Sequence, residues 1–261
     1  MIIDADVHIS PTAQPGGSIT VEELLRRMDR AGVDKALTWL HPPYLRHLDE
    51  SNACVYEASR AHPDRIVPFG WADPNLGVAT ARETVRRCIE EYGFHGIKLN
   101  GAANGFSIDD PELSLPVVEE IAKTGKMAAF HVGVNAYETT HPFRLAKVAR
   151  AFPRLKIFAV HMGGVGFPDM SPAVIEFAAE CPNLYLIGSE IRSPAILCAV
   201  KQLGADRVCF GSDTPFESMH VELAKYRALL EDEIAPNELD KVLGGNVMRL
   251  LGLSPRHVSG G

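Results

Sequence analysis

No two cysteines in this chain form a CxxC pair. The five present, Cys54, Cys88, Cys181, Cys198 and Cys209, are odd in number and scattered. They read as reduced, mostly buried thiols of a cytoplasmic protein. No apolar run approaches the roughly 20 residues of a membrane span. No basic segment precedes the first apolar stretch, so no signal peptide is expected. Positive charge is not in excess either: the net charge is −7 and the sequence pI about 5.8. Such a balance excludes nucleic acid and anionic membranes as obvious partners. No GxGxxG follows the first apolar segment, which leaves a dinucleotide crevice unsupported. No repeat, low-complexity run or Pro/Gly-rich linker divides the 261 residues. A small-molecule site is what remains.

What is present is an alternation of strand and helix signals. Short apolar runs at 2–8, 35–41, 66–73, 95–100, 126–132, 155–161, 184–188 and 208–211 read as strands. Between them, stretches such as Thr20 to Arg30 and Val78 to Tyr92 carry apolar residues at helical spacing and stop at Gly32 and Gly93. The stretch from Ala102 to Asp110 reads as an irregular loop. Eight strand–helix units in about 250 residues fit a closed (β/α)₈ TIM barrel. A doubly wound open sheet is the alternative. The expected organisation is a single barrel over 1–253 and a loose tail at 254–261.

Met1 to Ser10 holds the first polar cluster. Side chains alternate along a strand, so Asp4, Asp6 and His8 share one face. Two carboxylates and an imidazole on a buried face are costly unless paired, and a divalent metal pairs them at once. The plainer alternative is an ordinary strand whose Asp residues meet Lys or Arg. In a barrel, functional residues sit at the C-terminal strand ends. Those ends supply Asp6 and His8, Trp39 and His41, Trp71 and Asp73, Lys98 and Asn100, His131, His161, Glu190 and Asp213. Nearly every strand delivers an ionisable or metal-ligating group to one rim, which a purely structural core would not do.

These motifs resemble the amidohydrolase superfamily, in particular its amidohydrolase-related branch, which includes aminocarboxymuconate semialdehyde decarboxylase. The matching segments are IIDADVH at the start, GIKL at 96–99, FHVG at 130–133, VHMGG at 160–164, FGSDTPF at 210–216 and GGNVMRLLGL at 244–253. No one segment is specific, but their order and spacing span the chain. The resemblance implies a metal held by Asp6, His8, His131 and Asp213. It also implies Asp213 as base and His161 as acid/base or substrate polariser. Asp6 departs from the usual His of the first strand. The implied cofactor is one divalent ion, Zn²⁺ ahead of Mn²⁺, because bound Zn²⁺ lowers the pKa of its water to about 7. An Asp ligand favours harder ions. A binuclear centre with carbamylated Lys98 is a further option. Homodimers occur among the resembled proteins.

The remaining rim residues are assigned to substrate contact or ligand support. Lys98 is a site cation or ion-pair partner, and Asp4 lies deeper and pairs with it. His41, Trp71, Asn100 and Glu190 line the pocket, and Arg192 is placed to grip a substrate carboxylate. The loop from Ser10 to Ile19 is short and uncharged. That favours a metal-dependent hydrolase of an amide, ester or lactone. The alternatives are a non-oxidative decarboxylase of an unsaturated or aromatic acid, and a barrel that binds a ligand without catalysis.

Overall fold

A computed structural model describes residues 1–14, 17–41, 47–164 and 169–253. The expected tail at 254–261 lies outside the described residues. The strands are β1 (Ile3–Ile9), β2 (Lys35–Leu40), β3 (Ile66–Pro68), β4 (Gly70–Trp71), β5 (Gly96–Leu99), β6 (Met127–His131), β7 (Ile157–Val160), β8 (Leu184–Ile187) and β9 (Val208–Cys209). All pair in parallel, in the orders β1-β2-β3 and β4-β5-β6-β7-β8-β9.

Two seams close these sheets into one barrel. The first is at Phe69. Pro68 has no N–H to give, so the ladder breaks beside it, and the third barrel strand is split into β3 and β4. The Phe69 N–H still donates to Thr38 O at 2.9 Å, which carries the strand across the break. The second seam joins the last strand to the first. Ala5 N–H donates to Phe210 O (2.9 Å), His8 N–H to Thr214 O (2.7 Å), and Val7 bridges Thr214. Counting β3 and β4 as one, the barrel has the eight parallel strands of the TIM architecture.

Helices follow the strands and cover them. Val21–Ala31 ends at Gly32, which adopts φ 71°, a left-handed turn open to glycine at little cost. Below the rim the barrel interior is aromatic. Trp39 packs on Phe69 with ring centroids 5.9 Å apart, and Phe69 on Phe158 at 6.3 Å. Gly96 is required by that packing. A Cβ there would stand 2.4 Å from the Phe69 ring and 2.5 Å from Met127 O. The loop expected after β5 instead opens with one helical turn, Gly101–Asn104. Asn100 explains it: its side-chain oxygen accepts from Ala102 N–H (3.0 Å) and Ala103 N–H (2.9 Å), an N-cap.

Candidate metal centre and its cavity

β1 points Asp6 and His8 into the barrel mouth, both buried. His8 Nδ1 lies 2.7 Å from Leu40 O. A ring nitrogen facing a carbonyl carries the proton, so Nε2 presents its lone pair. Nε2 accepts from the Trp39 indole N–H at 3.0 Å. It also stands 3.2 Å from Asp213 Oδ1 and 3.6 Å from Asp6 Oδ1. Neither carboxylate oxygen has a hydrogen-bond partner, though both are buried. Two of these three acceptor atoms are orphaned, which is costly in the interior, and ligation by His8 would replace its bond from Trp39. A divalent cation fits that donor set.

His131 ends β6, and His161 follows β7 with its ring centroid 4.7 Å from that of His131. One atom each from Asp6, His161 and Asp213 lies within 4.8 Å of the others. Asp6, His161 and Asp213 thus form the group close enough to share one ion, with His8 beside the two carboxylates and His131 beside His161. Asp213 and His161 reach it from left-handed backbone, at φ 58° and 68°. Such conformations are uncommon outside glycine and cluster at functional sites.

Lys98, at the end of β5, is fully buried. Its Nζ lies 3.5 Å from Asp6 Oδ1 and 3.8 Å over the Trp39 ring. Burial works to raise Asp6, but Lys98, His8 and His161 hold it far below the usual carboxylate range. Burial lowers Lys98 against the pull of Asp6. Without a metal, burial and the charge of Asp6 push Asp213 well up. Burial, then Asp213 and Asp6, push Glu190 up to about 8. Burial lowers His131, and burial takes His161 down to about 4. The imidazoles are therefore neutral and free to act as ligands or acceptors.

A cavity of about 240 Å³ opens above these groups. Its lining includes the expected His8, Lys98, Asn100, His131, His161, Glu190 and Asp213. Other expectations give way. Arg192 is exposed and absent from the lining, because Glu190 turns the chain through φ 48° before it. Trp71 is buried beneath the cavity, and its indole N–H donates to Asn104 Oδ1 at 2.9 Å. His41 stands outside the lining, stacked on Phe216 at 5.0 Å. Asp4 does not pair with Lys98: its Oδ1 accepts from Ser212 N–H (2.9 Å) and Asp6 N–H (3.1 Å). Two residues deeper on β1, it is out of reach of the lysine. Phe216, Asn135 and the pair Ala102 and Ala103 complete the lining, and Ser189 bonds to its floor. None of these carries a sequence signal of its own; Phe216 stood within a quoted motif.

The barrel and its rim define a metal-type active centre fed by strand ends. Residues 3–253 match the amidohydrolase family model, and the chain belongs to that family. It is 25% identical to the 2-amino-3-carboxymuconate-6-semialdehyde decarboxylase of Dictyostelium discoideum, over 78% of this chain and 66% of that protein. The chain thus spans just under two thirds of that relative's length. It is 26% identical to the gamma-resorcylate decarboxylase of a Polaromonas species, over 75% of this chain and 77% of the relative. A dihydroxybenzoic acid decarboxylase from Polaromonas, solved with bound manganese and the inhibitor 2-nitroresorcinol, superposes with a TM-score of 0.77. That pair is 19% identical, over 98% of each chain.

These relatives are decarboxylases, and they overturn the hydrolase expectation. The short, uncharged loop after β1 misled because the cavity's cation comes from a strand end. Lys98 supplies it from β5, so no charged loop is needed.

Proposed function

We propose that this chain is a metal-dependent, non-oxidative decarboxylase of a small aromatic or unsaturated carboxylic acid. The convergence of His8 Nε2 with Asp6 Oδ1 and Asp213 Oδ1, two buried oxygens without a hydrogen bond, carries the reading. The decarboxylase relatives supply the reaction class. Asp6, His8, His131 and Asp213 would hold one divalent ion. Two carboxylates among four donors favour a hard ion. Together with the manganese of the Polaromonas structure, they support Mn²⁺ ahead of Zn²⁺.

When bound, the ion supplies a positive anchor for the substrate carboxylate. Lys98 balances Asp6 and adds a second positive charge to the cavity wall. His161, neutral at pH 7, offers a nitrogen to a hydroxyl or enol beside the reacting carbon. Glu190, which burial first and then the neighbouring carboxylates push up to about 8, holds a proton near neutrality, which suits a donor to carbon. The bond from that carbon to its carboxylate breaks and carbon dioxide leaves. The electron pair stays on the carbon and takes the proton from Glu190. The half-exposed Phe216 walls one side against a flat substrate.

The test is a panel of hydroxybenzoates and unsaturated acids, with carbon dioxide trapped from metal-loaded and chelator-stripped protein. Release from the loaded protein alone is expected. Release from neither would overturn the reading.

A further inference from the structure

Between Asp6 and His161 stands a residue with no role so far. Ser189 follows β8 and is wholly buried. Its Oγ lies 2.5 Å from Asp6 Oδ2 and 3.0 Å from His161 Nδ1. His161 Nδ1 and Asp6 Oδ2 are themselves 3.8 Å apart, too far for a direct bond. The hydroxyl is their bridge.

A hydroxyl carries one proton and two lone pairs. The 2.5 Å contact is in the range of an O–H donating to a carboxylate. The single proton therefore goes to Asp6, and the oxygen can only accept from His161. His161 must then carry its proton on Nδ1 and keep the lone pair on Nε2.

The surroundings fix the hydroxyl in place. Tyr226 Oη–H donates to Gly188 O at 2.8 Å, one residue before Ser189. A Cβ at Gly188 would come within 2.2 Å of that Oη, so only glycine admits the tyrosine. One residue after Ser189, Glu190 takes left-handed backbone, and Lys225 Nζ donates to Ile191 O at 3.3 Å. A turn held on both sides presents one small polar group to two site residues.

We propose that Ser189 is a positioning residue: it commits His161 to the Nδ1–H tautomer, keeps Nδ1 off the metal, and couples His161 to Asp6. The assignment of His161 to the substrate side rests on the decarboxylase reading, while the tautomer does not.

The test joins ¹⁵N NMR of the histidine side chains in metal-free protein with kinetics of the loaded enzyme. In the wild type, the His161 Nδ1 resonance is expected in the protonated range and Nε2 in the unprotonated range. Ser189→Ala should mix the tautomers. It should also lower kcat about 10–100-fold with KM little changed, the usual scale for residues that orient site groups. Ser189→Thr, which keeps the hydroxyl, should restore both. An unprotonated Nδ1 in the wild type would overturn the proposal, and that measurement needs no variant to fold. Unchanged His161 resonances and kcat in Ser189→Ala would also overturn it. If no acid is decarboxylated, the NMR result still decides the tautomer, so the two failures are separable.

Discussion

Asp4 is an unusual carboxyl. It is fully buried, its Oδ2 has no partner, and burial pushes its pKa up to about 7. A folded-state pKa above the unfolded value of 3.8 gives stability that is complete below about 4 and is lost as pH rises through about 7. The buried histidines act with the opposite sign. His161, held near 4, contributes stability above about 6.5 that is lost as pH falls through 4. The wild-type profile therefore mixes both, and a variant must separate them. Asn keeps the oxygen that accepts from Ser212 and Asp6 and cannot ionise. In metal-free protein, Asp4→Asn should gain stability relative to the wild type as pH rises from about 4 to above 7, by up to roughly 4 kcal/mol. Urea melts across that range give the difference; a difference that does not change with pH would refute the assignment. Asp6, only two residues away, differs because Lys98 reaches it and not Asp4.

At the scale of elements, the site depends on how strands end. Among the described residues, four that are not glycine have positive φ, and three of them, His161, Glu190 and Asp213, line the cavity. The chain leaves the last three barrel strands by a left-handed step, and a packed helix holds two of those steps. Helix Met219–Leu230 does this for β8 and β9: Tyr226 Oη is 2.8 Å from Gly188 O and 3.3 Å from Cys209 O. Tyr226→Phe leaves these carbonyls without that donor in the core. It should cost roughly 1–3 kcal/mol in denaturant melts, the penalty of a buried group left unsatisfied. A loss below the error of the melt would mean the ring alone matters. The same steps explain what the sequence could reveal. Asp6, His8, Lys98 and His131 sit within or at the last residue of strands, where period-2 alternation sets direction, and all four reach the centre. Arg192 lies beyond the turn at Glu190, where alternation no longer applies, and it faces solvent. Ser189 has a side chain whose type signals nothing until Asp6 and His161 stand beside it.

For the whole molecule, the centre ties β1 to the far end of the chain. Asp6 and His8 come from the first strand, and Asp213 from the segment that closes the barrel against it. An ion bound by these residues would clamp the second seam and so link metal occupancy to global stability. At 100 times its Kd, such a ligand adds about 2.7 kcal/mol. Chelation should lower Tm, metal should restore it in a concentration-dependent way, and Asp6→Ala should abolish that response. Asp6→His, which keeps a donor, should retain it. The architecture was legible because eight strand–helix units give few alternatives. The reaction was not, because both hydrolysis and decarboxylation begin from the same ligands, and in the proposed mechanism what tells them apart is the proton on Glu190. That proton is open to direct measurement. Metal-loaded protein is given each acid of the hydroxybenzoate and unsaturated-acid panel, labelled with ¹³C at the carboxyl, in D₂O. The expected result is ¹³CO₂ and a product with one deuterium on the vacated carbon, both lost in Asp213→Asn. Turnover of an ester or lactone with no ¹³CO₂ from any labelled acid would contradict it.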